Sequence, residues 1–256
     1  MMIWKTCLCE TCNKERQFKY STTLKKIYNY KPKCKQCTLT ERNKLQNFSP
    51  RKHPIIDYFE TIDTQEKAYI FGFLWADGCL MNAPRKNIAS IKSLVISMHP
   101  KDKEILDFIV SYFGGSYKIY TTFNKQTKKI SKTAHWNLNS KEVYDNFINL
   151  KFRIDSSAVS AYLFNHFLRG IIDGDGCFYI RKNRSPEIKI TSNINQNWNF
   201  IANRIEFPFS IHNKTYKEGS RSNFIILGDK VAFLQYLYKD ALFFLKRKHH
   251  IIKHLL

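Results

Sequence analysis

The feature that most constrains this chain is an apolar run that occurs twice and ends both times in Asp-Gly-Cys. The copies are Ile70-Phe71-Gly72-Phe73-Leu74-Trp75-Ala76-Asp77-Gly78 and Leu168-Arg169-Gly170-Ile171-Ile172-Asp173-Gly174-Asp175-Gly176. In each, a Gly stands four residues before another small residue, Gly72 before Ala76 and Gly170 before Gly174. On a helix such positions share a face, and small residues there let two backbones approach closely. The pattern predicts two helices packed on each other through Gly72, Ala76, Gly170 and Gly174. Gly78 and Gly176 suit the left-handed position just past a helix end, where the last carbonyls have no intrahelical partner. A carboxylate beside free carbonyls is a hard oxygen site for a divalent cation, and paired helices would bring two such sites together.

These residues resemble the motif of the LAGLIDADG homing endonucleases of the two-motif, single-chain type. The second copy is a close match, and the first departs at its sixth place, where Trp75 replaces an Asp. That Asp is mainly a helix-cap and packing position in the family, so the departure leaves the metal-binding Asp intact in both copies. The resemblance implies that Asp77 and Asp175 are catalytic and hold Mg2+, or another divalent ion, at two or more sites together with the carbonyls of Ala76 and Gly174. Each metal would serve one DNA strand across the minor groove. It also implies an α+β fold of two pseudo-symmetric αββαββα repeats with saddle-shaped antiparallel sheets, covering the chain from near Pro54 onward. A basic residue commonly stands near the family's active site. Leu150-Lys151-Phe152-Arg153 and Leu245-Lys246-Arg247-Lys248 occupy matching places, which makes Arg153 and Lys248 candidate supporting cations, although a solvated charge run would read the same way.

Charge bounds the partner. A formal net charge of +21, from 42 Lys and Arg against 21 Asp and Glu, implies a polyanion, with double-stranded DNA the leading candidate. With 43% hydrophobic residues the chain can bury a sizeable core. No apolar run is long enough to span a bilayer, and no lipidation signal or cleavable leader is read. No membrane partner is therefore expected, and the expected location is intracellular: a bacterial or phage-infected cytoplasm, or an organelle matrix. The richness in Lys, Asn, Ile, Phe and Tyr points weakly to an AT-rich genome such as that of a mobile genetic element.

Five of the seven cysteines lie in the first 37 residues. Cys9-Glu-Thr-Cys12 and Cys34-Lys-Gln-Cys37 are two C-x2-C knuckles that can wrap four thiolates around a structural Zn2+. Their separation is slightly longer than the common range, and Cys7 is an alternative to Cys9. So short a basic segment has too few apolar residues to fold unaided. Residues 1–45 therefore read as a small zinc-finger-like, DNA-contacting module, and 46–54 as a polar linker broken by Pro50 and Pro54. The two repeats are expected over 55–155 and 156–256. Asp63 with Glu66 reads as a capping-box-like start to the first motif helix. Cys79 and Cys177, at matching places after the motifs, are expected to point into the core.

After each motif the pattern of elements repeats: strand, strand, helix, strand, strand, helix. The strand pattern by itself supports only a mixed α and β protein. DNA contacts are expected from the strands and their loops, with Arg85, Lys92, Lys118, Lys132, Arg181, Lys182, Arg184, Lys189 and Arg221 as candidates. The same composition would suit solvated loops. The reading is a site-specific homing endonuclease, acting as a monomer, that makes a metal-dependent double-strand break at a long asymmetric target. Two rivals stand beside it: an intron maturase that binds RNA with the same fold, and a non-cutting DNA-binding regulator.

Overall fold

The computed structural model describes residues 2–8, 12–21, 26–28, 52–85, 88–124, 128–152, 158–180, 186–216 and 219–256. Two compact units divide the chain, Met1–Phe48 and Ser49–Leu256. In the first, β1 (Met2–Leu8), β2 (Glu15–Ser21) and β3 (Lys26–Tyr28) form an antiparallel sheet in that order. The β1–β2 hairpin closes at the pair Leu8↔Glu15, so Cys12 sits in its connection, exposed. This sheet is not signalled by the cysteine spacing. Cys9, Cys34 and Cys37 lie outside the described residues.

The second unit begins with helix α1 (Gln65–Asp77), whose residues Ala68, Tyr69, Ile70, Phe71, Gly72, Phe73 and Leu74 are all buried. Seven consecutive buried residues mean burial all round, as befits a helix at the centre of a core rather than on its surface. Its N-cap is Thr64, whose Oγ1 accepts from the Lys67 backbone N–H at 3.3 Å. Asp63, the cap expected from sequence, instead pairs with the Lys67 ammonium at 2.9 Å. Strands β4 (Gly78–Arg85) and β5 (Ile88–Met98), helix α2 (Lys103–Tyr112), strands β6 (Ser116–Asn124) and β7 (Lys129–Asn139) and helix α3 (Lys141–Phe152) follow.

The order then repeats. Helix α4 (Phe164–Asp175) is followed by β8 (Gly176–Tyr179), β9 (Glu187–Asn193), the single turn α5 (Asn199–Ala202), β10 (Phe209–Tyr216), β11 (Gly219–Ile226) and α6 (Lys230–Tyr238). The two antiparallel sheets have the same internal order, β4-β5-β7-β6 and β8-β9-β11-β10. A further helix, α7 (Lys246–Ile252), ends the chain. The sequence pattern does not announce it, since Leu245-Lys246-Arg247-Lys248 reads as a charge run. The second repeat's middle helix is a single turn, which suffices to seat Phe200 and Ile201, its only buried residues.

Helices α1 and α4 cross at the middle of a core that both repeats share. A Cβ at Gly72 would collide with the Phe167 carbonyl oxygen, and one at Gly170 with that of Tyr69 while lying 2.7 Å from Phe73 N. The backbones therefore touch, and no larger residue fits. Phe71 and Phe167 stack beside this contact with centroids 5.4 Å apart. Each sheet turns one face to the helices. In the first sheet Leu94, Ile96, Ala134, Trp136 and Leu138 are buried on that side, and in the second Phe178, Ile188, Ile190 and Phe224. By strand alternation the opposite, open faces carry polar residues such as Ser97, Lys118, His135 and Asn137, and Lys189, His212, Asn223 and Arg221.

The stretch before α1 is bound to the first sheet. Lys52 and Gly115 exchange two backbone hydrogen bonds of 3.0 Å, and Ile55 N donates to Phe113 O at 3.2 Å. Gly114 (φ +101°) makes this possible, for a Cβ there would meet His53 O at 2.5 Å. The part of the expected linker from Lys52 to Pro54 is thus an edge of the sheet.

Candidate active site

Both motif helices end at the same place and pass directly into a strand. Gly78 N donates to Leu74 O and Gly176 N to Ile172 O, closing the last turns. Neither glycine is left-handed, contrary to the expectation from sequence: φ is −76° at Gly78 and −82° at Gly176, and both are extended. Glycine is required for room instead, since a Cβ at Gly176 would lie 2.5 Å from Ile172 O. Asp77 and Asp175 stand immediately before these junctions. They face each other across Gly174, where a Cβ would be 2.6 Å from the Ala76 methyl and 3.4 Å from Asp77 Cγ.

The electrostatics follow from that placement. Burial pushes the Asp77 carboxyl up, nearby Asp175 and Asp102 push it further, and it rises to about 6 against the opposing pull of Lys248. Asp175 is also raised by burial, again opposed by Lys248. Two carboxylates held close together repel as a pair, and a divalent cation is the species that relieves both. Among the described residues no three or more His, Cys, Asp or Glu side chains gather as a ready-made metal cluster, so the fit rests on two carboxylates and backbone oxygens.

Lys248, one of the two candidate supporting cations, is buried. Its Nζ donates to Ile172 O at 2.7 Å, Gly174 O at 3.0 Å and Gly176 O at 2.6 Å. It thereby caps the end of α4, and its charge lies in the field of Asp77, Asp173 and Asp175. The Gly174 carbonyl, expected as a metal ligand, is already an acceptor in this arrangement and keeps one lone pair for a cation. Arg153, the matching residue of the first repeat, lies outside the described residues.

Asp173, the motif's other acid, performs a different task. It is fully buried, and its Oδ2 accepts from the Tyr69 hydroxyl at 2.8 Å and from Leu245 N, the N-cap residue of α7, at 2.8 Å. Burial drives its pKa upward. Arg169 lies beside it, donating to Phe243 O at 3.0 Å and Leu237 O at 2.9 Å. At the equivalent place in the first motif Trp75 packs against Phe71, Phe167 and Phe200, and Lys151 lies over its ring at 4.7 Å. The two ends of the site are therefore built differently. One is braced by a buried acid and the other by an aromatic stack.

Lys151 was passed over in the sequence in favour of Arg153, two residues on. It lines a cleft with Trp75, Ala76, Asp175, Ser192 and Gln196, and burial lowers its pKa. The only sequence signal for it is its place in Leu150-Lys151-Phe152-Arg153. Segment 241–248 adds a brace from the second repeat to the first. Phe243 stacks on Phe108 at 3.6 Å, Lys246 reaches Glu104 at 3.0 Å, and Arg247 grips Asp102 with two bonds of 3.0 and 3.1 Å.

The candidate DNA contacts divide. Lys118, Lys189 and Arg221 stand on open faces, by their register with His135, Cys177 and Asn193. Lys92 does not: it has the opposite parity to Ser93 and turns to α3, pairing with Asp145 at 2.5 Å beneath the ring of Tyr144. Lys132 shares the alternation of Ala134 and Trp136, the helix side of the sheet, and is exposed. Arg85 closes β4, and Arg181, Lys182 and Arg184 lie outside the described residues. Cys79 and Cys177 are exposed on the open faces, against the expectation that they enter the core. The alternation gives the inward places to their larger apolar neighbours, Leu80 and Phe178.

Three solved structures share this architecture. The homing endonuclease I-WcaI bound to its DNA recognition sequence aligns with a TM-score of 0.54 at 12% identity, over 82% of this chain and 96% of that one. I-DmoI in complex with DNA and Ca aligns with a TM-score of 0.53 at 18% identity, over 74% and 97%. I-DmoI in complex with DNA and Mn aligns with a TM-score of 0.52 at 18% identity, over 70% and 98%. This chain has the fold of these endonucleases. No protein-family model and no curated protein matches it.

The raised carboxyl pair predicts a pH effect that needs no substrate. In a chelator, Asp77 titrates near 6 when folded and near its ordinary 3.8 when unfolded, so the folded state binds more protons between those values. Its contribution to stability is then full below about 4 and is lost as pH rises through about 6. Thermal melts of the metal-free protein should lose stability over that window more steeply than melts of Asp77→Asn. Superimposable pH profiles for the two proteins would refute the coupling.

Proposed function

We propose that the second unit is a divalent-metal-dependent endodeoxyribonuclease that cuts both strands of a long, asymmetric DNA target as a single chain. The observation that carries this reading is the approach of Asp77 and Asp175 across Gly174 at the shared end of two helices, with both carboxyls raised by burial. Asp77 and Asp175 would hold Mg2+ with the Ala76 carbonyl and the free lone pair of Gly174. Bound there, Mg2+ supplies a nucleophile from water near neutral pH and neutralises the leaving oxygen. The chain's own side chains do the rest. Lys248 fixes the end of α4 and so the aim of Asp175, and Lys151 offers a cation at the rim of the Asp175 cleft. Arg153 is the corresponding candidate on the first-repeat side.

The open sheet faces, polar and basic, suit a duplex laid along them, where side chains on alternate residues reach bases and phosphates. Each repeat presents a different set, so an asymmetric target follows. The similar folds whose structures hold DNA with Mn or Ca support the same partner and a divalent ion. Full-length protein given Mg2+ and duplex DNA carrying the uninterrupted insertion site of its own gene should make a double-strand break. Tight binding without a break would favour a regulator, and selective binding of the gene's structured RNA would favour a maturase.

For the first unit the proposal is a structural Zn2+ held by Cys9, Cys12, Cys34 and Cys37, with Cys7 the substitute for Cys9. Protein prepared without chelator should carry about one zinc per chain, by the four-ligand rule. Cys34→Ser should unfold this unit and leave the melting of the other intact. Metal-free protein from such a preparation would overturn the assignment. Deleting 1–45 should flatten the salt dependence of DNA binding, as fewer phosphates are neutralised.

A further inference from the structure

We propose that Trp75 is a positioning residue whose indole face holds the Lys151 ammonium at the cleft beside Asp175, where that ammonium grips a phosphate of the one DNA strand cut there. The inference rests on the proposed endonuclease reading. It deepens that reading by giving a task to the residue that departs from the motif and by making the two strands depend on different groups.

The indole is fixed on its inner side. Phe71 of α1, Phe167 of α4 and Phe200 of α5 surround it, with ring centroids 6.3, 6.4 and 5.1 Å from its own, and Phe167 and Phe200 meet each other edgewise at 6.3 Å. Close-packed rings from three elements leave it little freedom. Lys151 stands in the last turn of α3, and its Nζ lies 4.7 Å from the centroid of the Trp75 ring. That is inside the about 6 Å over which a ring face attracts an ammonium, and Trp offers the strongest such face.

A ring face orients a cation without neutralising it. Among the described residues Lys151 has no carboxylate within ion-pairing distance, whereas Lys67, Lys92, Lys103 and Lys246 each have one. An acid in this place, as Asp173 is in the second motif, would compete with a phosphate for the same ammonium. Neighbouring cations are engaged elsewhere: Lys248 Nζ donates to three carbonyls, and Arg247 holds Asp102. Lys151 brings its N–H donors to a cleft that it lines together with Trp75, Asp175, Ser192 and Gln196. A phosphodiester is the anion suited to this cleft, since one free oxygen can meet the ammonium while the other faces the Asp175 end of the site.

The cleft is built across the repeats, with Trp75 and Lys151 from the first and Asp175, Ser192 and Gln196 from the second. The other end has no counterpart. There the residue in the place of Trp75 is Asp173, buried and turned to the Tyr69 hydroxyl and Leu245 N. The cation and its ring thus belong to one end of the site, and so to one strand.

Full-length protein in Mg2+ is given a duplex carrying the uninterrupted insertion site, with a different dye on each strand, and the two cuts are timed separately. Displacing a positioned group by about 1 Å costs on the order of 100-fold, so Lys151→Met and Trp75→Leu should each slow the same strand by about 10–100-fold and leave the other within about twofold of the parent. Trp75→Phe, which keeps a weaker ring face, should slow that strand less. The double variant Trp75→Leu/Lys151→Met should be no slower than Lys151→Met, because Trp75 acts through the lysine. In EDTA, where no cleavage enters, Lys151→Met should lower the slope of log K against log salt by about 0.9, the loss of one phosphate contact. Should the Trp75→Leu protein fail to fold, the same cycle is run with Trp75→Phe. Parental rates in Lys151→Met, equal slowing of both strands, or additive losses in the double variant overturn the inference and leave the endonuclease reading in place. Absence of any cutting by the parent protein overturns both.

Discussion

Asp77→Asn and Asp175→Asn are each expected to abolish double-strand cleavage while leaving DNA binding nearly intact. Each swap removes a charge that would bind the metal without changing side-chain volume. Losing even an outer-shell partner of a metal site costs about 10–100-fold, so removing a ligand should cost more than about 100-fold. The structure adds a control. Asp77 is held up near 6 by burial and by the repulsion of Asp175, so an amide at either place relieves a cost, and both variants should melt no lower than the parent in chelator at neutral pH. Cleavage would then be lost without loss of fold. Residual nicking of one strand is compatible with the assignment, because each acid stands on its own helix. Unimpaired double-strand cutting by either variant would remove the pair from the mechanism.

Gly170→Leu should be the most damaging single substitution for stability. The position has no space on the side of α1, where Tyr69 O and Phe73 N already occupy the place of a Cβ. Overpacking a core costs about 1–3 kcal/mol, more when backbone rather than a side chain must yield. Both obstructing atoms here are backbone. In a chain of this size each kcal/mol moves Tm by about 2–4 °C, so a fall of several degrees is expected, together with loss of cleavage as Asp77 and Asp175 separate. Gly170→Ala should show the same effects at smaller size. A Gly170→Leu protein that melts with the parent would mean that the helices do not meet here in solution.

The parts of this arrangement legible in the sequence are those set by periodicity and by residue size. Small residues four apart at Gly72, Ala76, Gly170 and Gly174 fix which helix faces meet, and the repeated order of elements predicts two alike halves, while the two sheets were implied only by the family resemblance. Contacts that depend on tertiary approach were not legible. Lys248 belongs to a basic run whose pattern gives no reason for burial, and only the three carbonyls at the end of α4 explain it. Lys92 looks like any strand lysine until Asp145, on another element, supplies its partner. Cys79 and Cys177 were misplaced because cysteine commonly behaves as a buried residue, whereas strand parity is set by the bulkier Leu80 and Phe178 beside them. At Gly78 and Gly176 the residue type was read as a conformational requirement when the requirement is space.

The brace formed by residues 243–248 also bears on how the protein is made. A ribosome delivers Asp102, Glu104 and Asp173 well before Phe243, Leu245, Lys246, Arg247 and Lys248, the residues that stack on the first repeat, pair with its acids and cap α4. Domains generally fold from the N-terminal side during synthesis, yet here the end of α4 beside Asp175 has no cap until the late segment emerges. Until then the nascent chain holds both carboxylates but not the frame that aims them. The carboxylate pair proposed to bind the metal is thereby given its frame last.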